Sequence, residues 1–204
     1  VNIINTASIT VTITTTGVNG RDTGSELSDQ PYHVFIIYNP TSGLVRGLLS
    51  VSISSPTLPS GSTKYRKVGS IVNNSSSNFI GMVQVGDGRV RKTRFDTVRN
   101  TILRVLTSGS STSWTNVDCS DLVPEDATFI DIMTQHNNIS GGFAFIRPDN
   151  WTASTVGVFL MGDSYGTNMN WFSVYNNGTE QIEYECENSF CDVWIDVIGY
   201  EEEV

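Results

Sequence analysis

The sequence predicts an all-β protein, an antiparallel β-sandwich of jelly-roll type with ten or more short strands. Three observations carry that expectation. Apolar and polar residues alternate with a period of two almost throughout, and no segment sustains a 3.6-residue period over three turns. Turn chemistry recurs roughly every 8 to 12 residues, which suits hairpins and leaves no room for crossover helices. Ser (24), Thr (22) and Asn (17) make up nearly a third of the 204 residues while charged side chains are only 16%, the hydroxyl-rich composition of an extended β chain.

In order along the chain, Ile9, Val11 and Ile13 alternate with Thr10, Thr12 and Thr14, the pattern of a half-buried strand ended by Gly17-Val18-Asn19-Gly20. Tyr32 to Tyr38 is apolar on both faces, as a central strand should be, and Asn39-Pro40-Thr41-Ser42-Gly43 stops it before Leu44 to Ile53 resumes. Tyr65 to Val72 reads as a strand, and the Asn/Ser tract from Asn73 to Asn78 as a loop. Phe79 to Val85, Gly86-Asp87-Gly88 and Arg89 to Phe95 form the best hairpin signal of the first half, because the glycines supply positive φ angles. Further strands are expected near Thr101 to Leu106, Thr128 to Thr134, Gly142 to Arg147, Thr155 to Met161, Met169 to Tyr175, Gln181 to Cys186 and Cys191 to Ile198. A Ser/Gly-rich break at Gly109 to Ser113 suggests that one domain, 1–204, is built from sub-halves 1–113 and 114–204.

Twelve basic against twenty-one acidic side chains give a net charge of −9, which argues against nucleic acid as a partner. No apolar run approaches the roughly 18 residues of a membrane-crossing helix, so no membrane insertion is expected, and the opening at Val1 shows no signal-peptide pattern. Charge is segregated: nine of the twelve bases lie from Lys64 to Arg104, and sixteen of the twenty-one acids from Asp118 onward.

The last two strands predict a hairpin in which Ile182, Tyr184 and Cys186 share a face with Cys191, Val193, Ile195 and Val197. A four-residue loop sets Cys186 opposite Cys191. Either a disulfide closing a very short loop or two reduced thiols packed in a core satisfies that register. On the other face the same register sets Glu185 against Asp192, Glu183 against Trp194 and Gln181 against Asp196, and like charges across a ladder need something positive over them. Arg89, Arg91, Lys92 and Arg94 are the expected donors to Glu183, Glu185, Asp192 and Asp196, within the chain or from a neighbouring subunit. The competing reading is a solvated edge that uses charge to prevent strand addition.

No catalytic residues, cofactor or metal are expected. His33 lies in a strand that reads as buried and His136 in an Asn-rich stretch, neither with ligand-like spacing to the three cysteines, and Gly86-Asp87-Gly88 lacks the helix that follows a phosphate loop. Recognition has better candidates. Trp151 after Asp149-Asn150, and Trp171 with Tyr165, Asn168 and Asn170, read as loops in which an aromatic ring stacks on a sugar while amides bond its hydroxyls.

Gly17-Val18-Asn19-Gly20-Arg21-Asp22-Thr23-Gly24-Ser25, Tyr32 to Pro40, Pro56-Thr57-Leu58-Pro59-Ser60-Gly61 and Tyr65 to Ser70 resemble β-rich modules of tailed-bacteriophage virion proteins, often in tail fibres. Trp114 to Ser120 with Leu122-Val123-Pro124, then Arg147-Pro148-Asp149 and the ending Val193 to Tyr200, are similar to the same class. The resemblance implies a homo-oligomer, frequently a trimer, on the outside of the virion. It implies one of two roles: a receptor-binding module touching a host-surface glycan or protein, or a decoration or connecting protein binding other virion proteins. A glycan-degrading enzyme ranks last.

Overall fold

A computed structural model describes residues 7–86, 89–96, 103–138, 142–152, 158–162 and 167–204. Among them there are thirteen strands and no α-helix, and every strand pair is antiparallel. The chain divides into two compact units, one running to Ile80 and including Val204, the other Gly81–Glu203. The division therefore falls at 80/81 and not at the 113/114 break expected from composition, because the strand before Gly109 to Ser113 belongs with those after it.

The first unit holds β1 (Gln30–Asn39), β2 (Leu44–Ser50) and β3 (Lys64–Asn73) in the order β2-β1-β3. The β1–β2 turn follows from its residues: the Asn39 side-chain oxygen accepts from the Thr41 and Ser42 amides, and Gly43 takes the positive φ of 70° that L side chains avoid. Phe35, Ile37 and Leu48 form one buried cluster and Ile13, Tyr32 and Leu49 another. His33 is buried and its Nδ1 lies 3.0 Å from Ser70 Oγ, a core histidine as expected. The expected strand at Ile9 to Ile13 does not form. Its alternating residues lie over Gly47, where a Cβ would overlap Val11, and they are pinned by the Thr12 amide bond to the Asn19 carbonyl and by no ladder.

The second unit contains β4 (Met82–Gly86), β5 (Val90–Phe95), β6 (Arg104–Gly109), β7 (Thr115–Asp118), β8 (Ala127–Asn138), β9 (Gly142–Pro148), β10 (Val158–Gly162), β11 (Thr167–Tyr175), β12 (Gln181–Cys186) and β13 (Cys191–Glu203). One sheet runs β10-β9-β12-β7; the other runs β11-β8-β13-β5-β4, with β6 also on β13. The eight strands from β6 to β13 pair as a folded-over long hairpin: β6 with β13, β7 with β12, β8 with β11 and β9 with β10. Rolled into two four-stranded layers, β6-β13-β8-β11 and β7-β12-β9-β10, this is the double Greek key of a jelly roll. The β4–β5 hairpin widens the first layer. Between the layers lie Val117, Ile146, Ile182 and Tyr184 from one sheet and Ile130, Ile132, Val193, Ile195 and Val197 from the other, all nearly or wholly buried.

The expected β12–β13 hairpin is overturned. These strands lie in different sheets: Glu185 is opposite Phe145, Glu183 opposite Arg147, Asp192 opposite Asn137 and Trp194 opposite Gln135. The shared apolar face was read correctly, but two strands joined by four residues can bury that face by facing each other across a sandwich as well as by lying side by side. Here the loop is an arch from one layer to the other.

Candidate functional site

The outer surface of the six-stranded sheet carries the most distinctive cluster of side chains. Strand β8 buries Ile130, Ile132 and His136 toward the other layer, so period two sends Phe129, Asp131, Met133 and Gln135 outward. In β11 the residues directly opposite three of them are exposed: Tyr175 against Phe129, Ser173 against the buried Asp131 and Trp171 against the buried Met133. Trp171 is 56% exposed, far above what a packed Trp shows.

A bulge then opens a hollow. In β13 the register against β8 shifts between Val197 and Gly199, so Ile198 and Gly199 share the stretch facing Asp131. Gly199 is also opposite Arg94 in β5, and the row across the sheet reads Ser173, Asp131, Gly199, Arg94. The position between the carboxylate and the guanidinium carries no side chain. The resulting hollow, about 150 Å³, is lined by Arg94, Asp131, Trp171, Phe172, Ser173 and Ile198.

Its polar groups are held in place. Asp131 is 2% exposed; Ser173 Oγ donates to its Oδ1, and Lys92 Nζ lies 3.2 Å from its Oδ2. The Arg94 guanidinium lies 6.0 Å from the Trp171 ring centre, at the outer range of a cation–π contact. Next along the face, Phe129 and Tyr175 meet edge to face at 5.8 Å while both stay exposed. An exposed indole beside a carboxylate, a hydroxyl and a guanidinium can stack on one face of a flat ligand and bond several of its hydroxyls.

Of the recognition residues predicted from sequence, Trp171 is in this site, though on a strand and not in a loop. Asn170 faces the other way from Trp171 by the alternation of β11. Trp151 is exposed but follows β9 of the other sheet and is not among the residues lining the hollow. Tyr165 lies outside the described residues, as does the side chain of Asn168. Asp131, Ser173 and Ile198 were missed. An Asp between two isoleucines in a strand was a usable signal, since a charge at that position needs partners.

Within the chain, the predicted charge contact does not form. Strand β5 lies beside Gly199–Glu203, which sets Lys92 against Glu201 and Arg91 against Glu202, while Glu183 and Glu185 belong to the other sheet. Glu183, Asp192 and Asp196 each find a local partner. Arg147 Nε lies 2.5 Å from Glu183 Oε2 with its guanidinium stacked 3.8 Å from the Trp114 ring centre; Arg104 makes two bonds to Asp196 and stacks 4.5 Å from the Trp194 ring centre. Trp194 Nε1 donates to Asp192 Oδ1 at 2.8 Å. Arg94 and Lys92 thus serve the hollow, and Arg89 is exposed at the start of the β5 hairpin arm.

Cys186 and Cys191 are both buried and reduced. His136, expected in a loop, is on β8 and wholly buried, with Nε2 3.5 Å from Cys191 Sγ; burial lowers its pKa against a smaller opposing effect of Asp192. A nucleophile-elbow spacing, expected from the sequence to be absent, is present at Gly162-Asp163-Ser164-Tyr165-Gly166. It lies between β10 and β11, strands of different sheets, rather than between a strand and a helix, and residues 163–166 lie outside the described residues.

Glu180, just before β12, has its carboxyl pKa raised by burial first, then by Glu125 and Asp118. A folded pKa above the unfolded value means that charging Glu180 opposes folding once the pH exceeds it. Glu180→Gln is therefore expected to melt higher than the wild type at neutral pH, with the gap closing as the pH falls below the ordinary carboxyl value of about 4.5, where Glu180 is protonated in the folded and unfolded chain alike. Parallel melting curves across pH 4–8 would check it; a gap that widens on acidification would refute it.

No protein-family model matches the chain, and no curated protein matches it.

Proposed function

We propose that the chain is a non-enzymatic recognition module of a bacteriophage virion, working from the outside of the particle as part of a homo-oligomer and binding host-surface carbohydrate. The observation that carries this reading is the exposed Trp171 ring beside the Arg94–Asp131–Ser173 hollow. Sugars offer an apolar face for an aromatic ring and a rim of hydroxyls for charged partners, and this site has both. Asp131 is the one carboxylate among its lining residues and is already engaged by Ser173 and Lys92, whereas glycoside hydrolysis uses a pair. The jelly roll adds support at the level of fold analogy alone, since capsid and lectin domains share it with other activities.

A glycan array followed by titration of tryptophan fluorescence tests the reading. Trp171→Ala is expected to weaken binding about tenfold or more, because stacking and ring burial are lost together. Its melting temperature should stay near that of the wild type, given how little of the ring is packed. A blank array, or full binding by the variant, would overturn it.

A second reading, a decoration or connecting protein that binds other virion proteins, is favoured by a separate observation. Val83 and Val85 on the edge strand β4, 60% and 57% exposed, form an apolar rim. Co-purification with a capsid or tail protein, lost on Val83→Lys and Val85→Lys, would favour this reading over the first.

A further inference from the structure

The arch between β12 and β13 holds a second chemical feature, independent of the carbohydrate reading. Cys186 ends a strand of one layer and Cys191 begins a strand of the other, so their sulfurs sit where the chain crosses between sheets. The side chains are 1% and 4% exposed, and the two thiols are within hydrogen-bonding reach of each other. Their other neighbours are weak acceptors: Cys186 Sγ lies 3.8 Å from the Gly109 carbonyl oxygen, and Cys191 Sγ 3.5 Å from that of Phe143. Cys191 Sγ is also 3.5 Å from His136 Nε2, a ring whose Nδ1 has no hydrogen-bond partner.

We propose that Cys186 and Cys191 form a reversible disulfide that ties the two layers of the jelly roll together when the protein meets an oxidising thiol–disulfide couple. The two thiols are hydrogen-bond neighbours on strands of opposite layers, so the bond would join the layers where the chain already crosses between them. Glutathione disulfide is a sufficient oxidant. Cys191 passes its proton to His136 Nε2, and the thiolate attacks one sulfur of the oxidant, releasing a glutathione thiolate that takes the proton back from His136. Cys186, losing its proton to solvent, then attacks the Cys191 sulfur of the mixed disulfide and releases the second glutathione thiolate, which takes up a proton. Two protein thiols are oxidised and one glutathione disulfide is reduced to two thiols.

The division of labour follows from the surroundings. Burial, then Cys191, Glu185 and Asp192, raise the Cys186 thiol pKa and keep its proton on, which leaves the first attack to Cys191 beside His136; burial keeps His136 neutral. The connection Glu187–Phe190 is the access route, with Phe190 67% exposed at its tip. Cys119 is an internal control: it is buried, its thiol pKa is raised by burial, and its Sγ points at the Val117 carbonyl oxygen 3.8 Å away.

The test is thiol mapping of the full chain after equilibration with defined ratios of reduced and oxidised glutathione. Free thiols are alkylated after acid quench and unfolding, and the chain is cleaved after glutamate. Glu187 lies between the two cysteines, so the disulfide appears as two peptides that separate only on reduction. The expected result is that joined pair with Cys119 alkylated, and a melting temperature about 4–8 °C above that of the reduced protein. Three alkylated cysteines at every ratio, or a pair involving Cys119, would overturn the proposal. Cys191→Ser, where it folds, should lose both the joined pair and the difference in melting temperature; wild-type mapping decides the matter without it. Neither readout depends on carbohydrate binding.

Discussion

Asp196→Ala is expected to destabilise the protein by about 3–5 kcal/mol, because it leaves the Arg104 guanidinium without a counter-charge in a mostly buried place. The Asp196 side chain is 4% exposed and that of Arg104 18%, and the guanidinium is held from one side by Asp196 and from another by the Trp194 ring. Three register pairs with two irregularities join β6 to β13, so the ion pair and its stack carry much of the attachment of that strand. The double variant Arg104→Met, Asp196→Leu should cost far less than Asp196→Ala, since apolar side chains of similar size remove the desolvation penalty together with the attraction. Urea unfolding of the two variants with the slope held common separates the cases. Equal losses would mean that the packing of β6, and not the uncompensated charge, sets the cost.

The same pair shows what was legible beforehand. An all-β jelly roll could be read because alternation is local: Ile182, Tyr184 and Cys186, and Cys191, Val193, Ile195 and Val197, do line one interior. Which layer each strand joins is not local. The arch at Glu187–Phe190 and a tight hairpin use the same loop length and bury the same faces, so the partners of Glu183 and Asp196 were assigned wrongly although their need for positive charge was read correctly. The bases they found, Arg147 and Arg104, come from strands that only the folded-over pairing brings alongside. In the same way Trp171 was singled out by residue type, whereas Asp131, Ser173 and Arg94 joined it through cross-strand register and a bulge. Neither leaves a period-two trace.

That bulge gives the second large effect. Gly199→Ala is expected to cost about 3 kcal/mol or more, because the new Cβ would fall inside the van der Waals shell of the Thr93 carbonyl oxygen, with Thr93 C at 3.2 Å and Arg94 Cα at 3.3 Å. All three are backbone atoms of β5, so no side-chain rotation relieves the overlap and the strands must move apart. Separation there would loosen the pairs Gly199–Arg94, Tyr200–Thr93 and Glu201–Lys92. It would also carry Arg94 and Lys92 away from Asp131, leaving that buried carboxylate with Ser173 alone. Stability and binding at the Trp171 hollow should therefore fall together in this variant, in contrast to Trp171→Ala, where binding falls alone. Gly178→Ala makes the control, since nothing lies within 4 Å of its Cβ and only a φ of +86° opposes it, at about 1 kcal/mol. Melting curves and ligand titration on the three variants check the pattern; a Gly199→Ala protein as stable as the wild type would show that β5 yields without cost, and that the bulge does not fix the distance between Arg94 and Asp131.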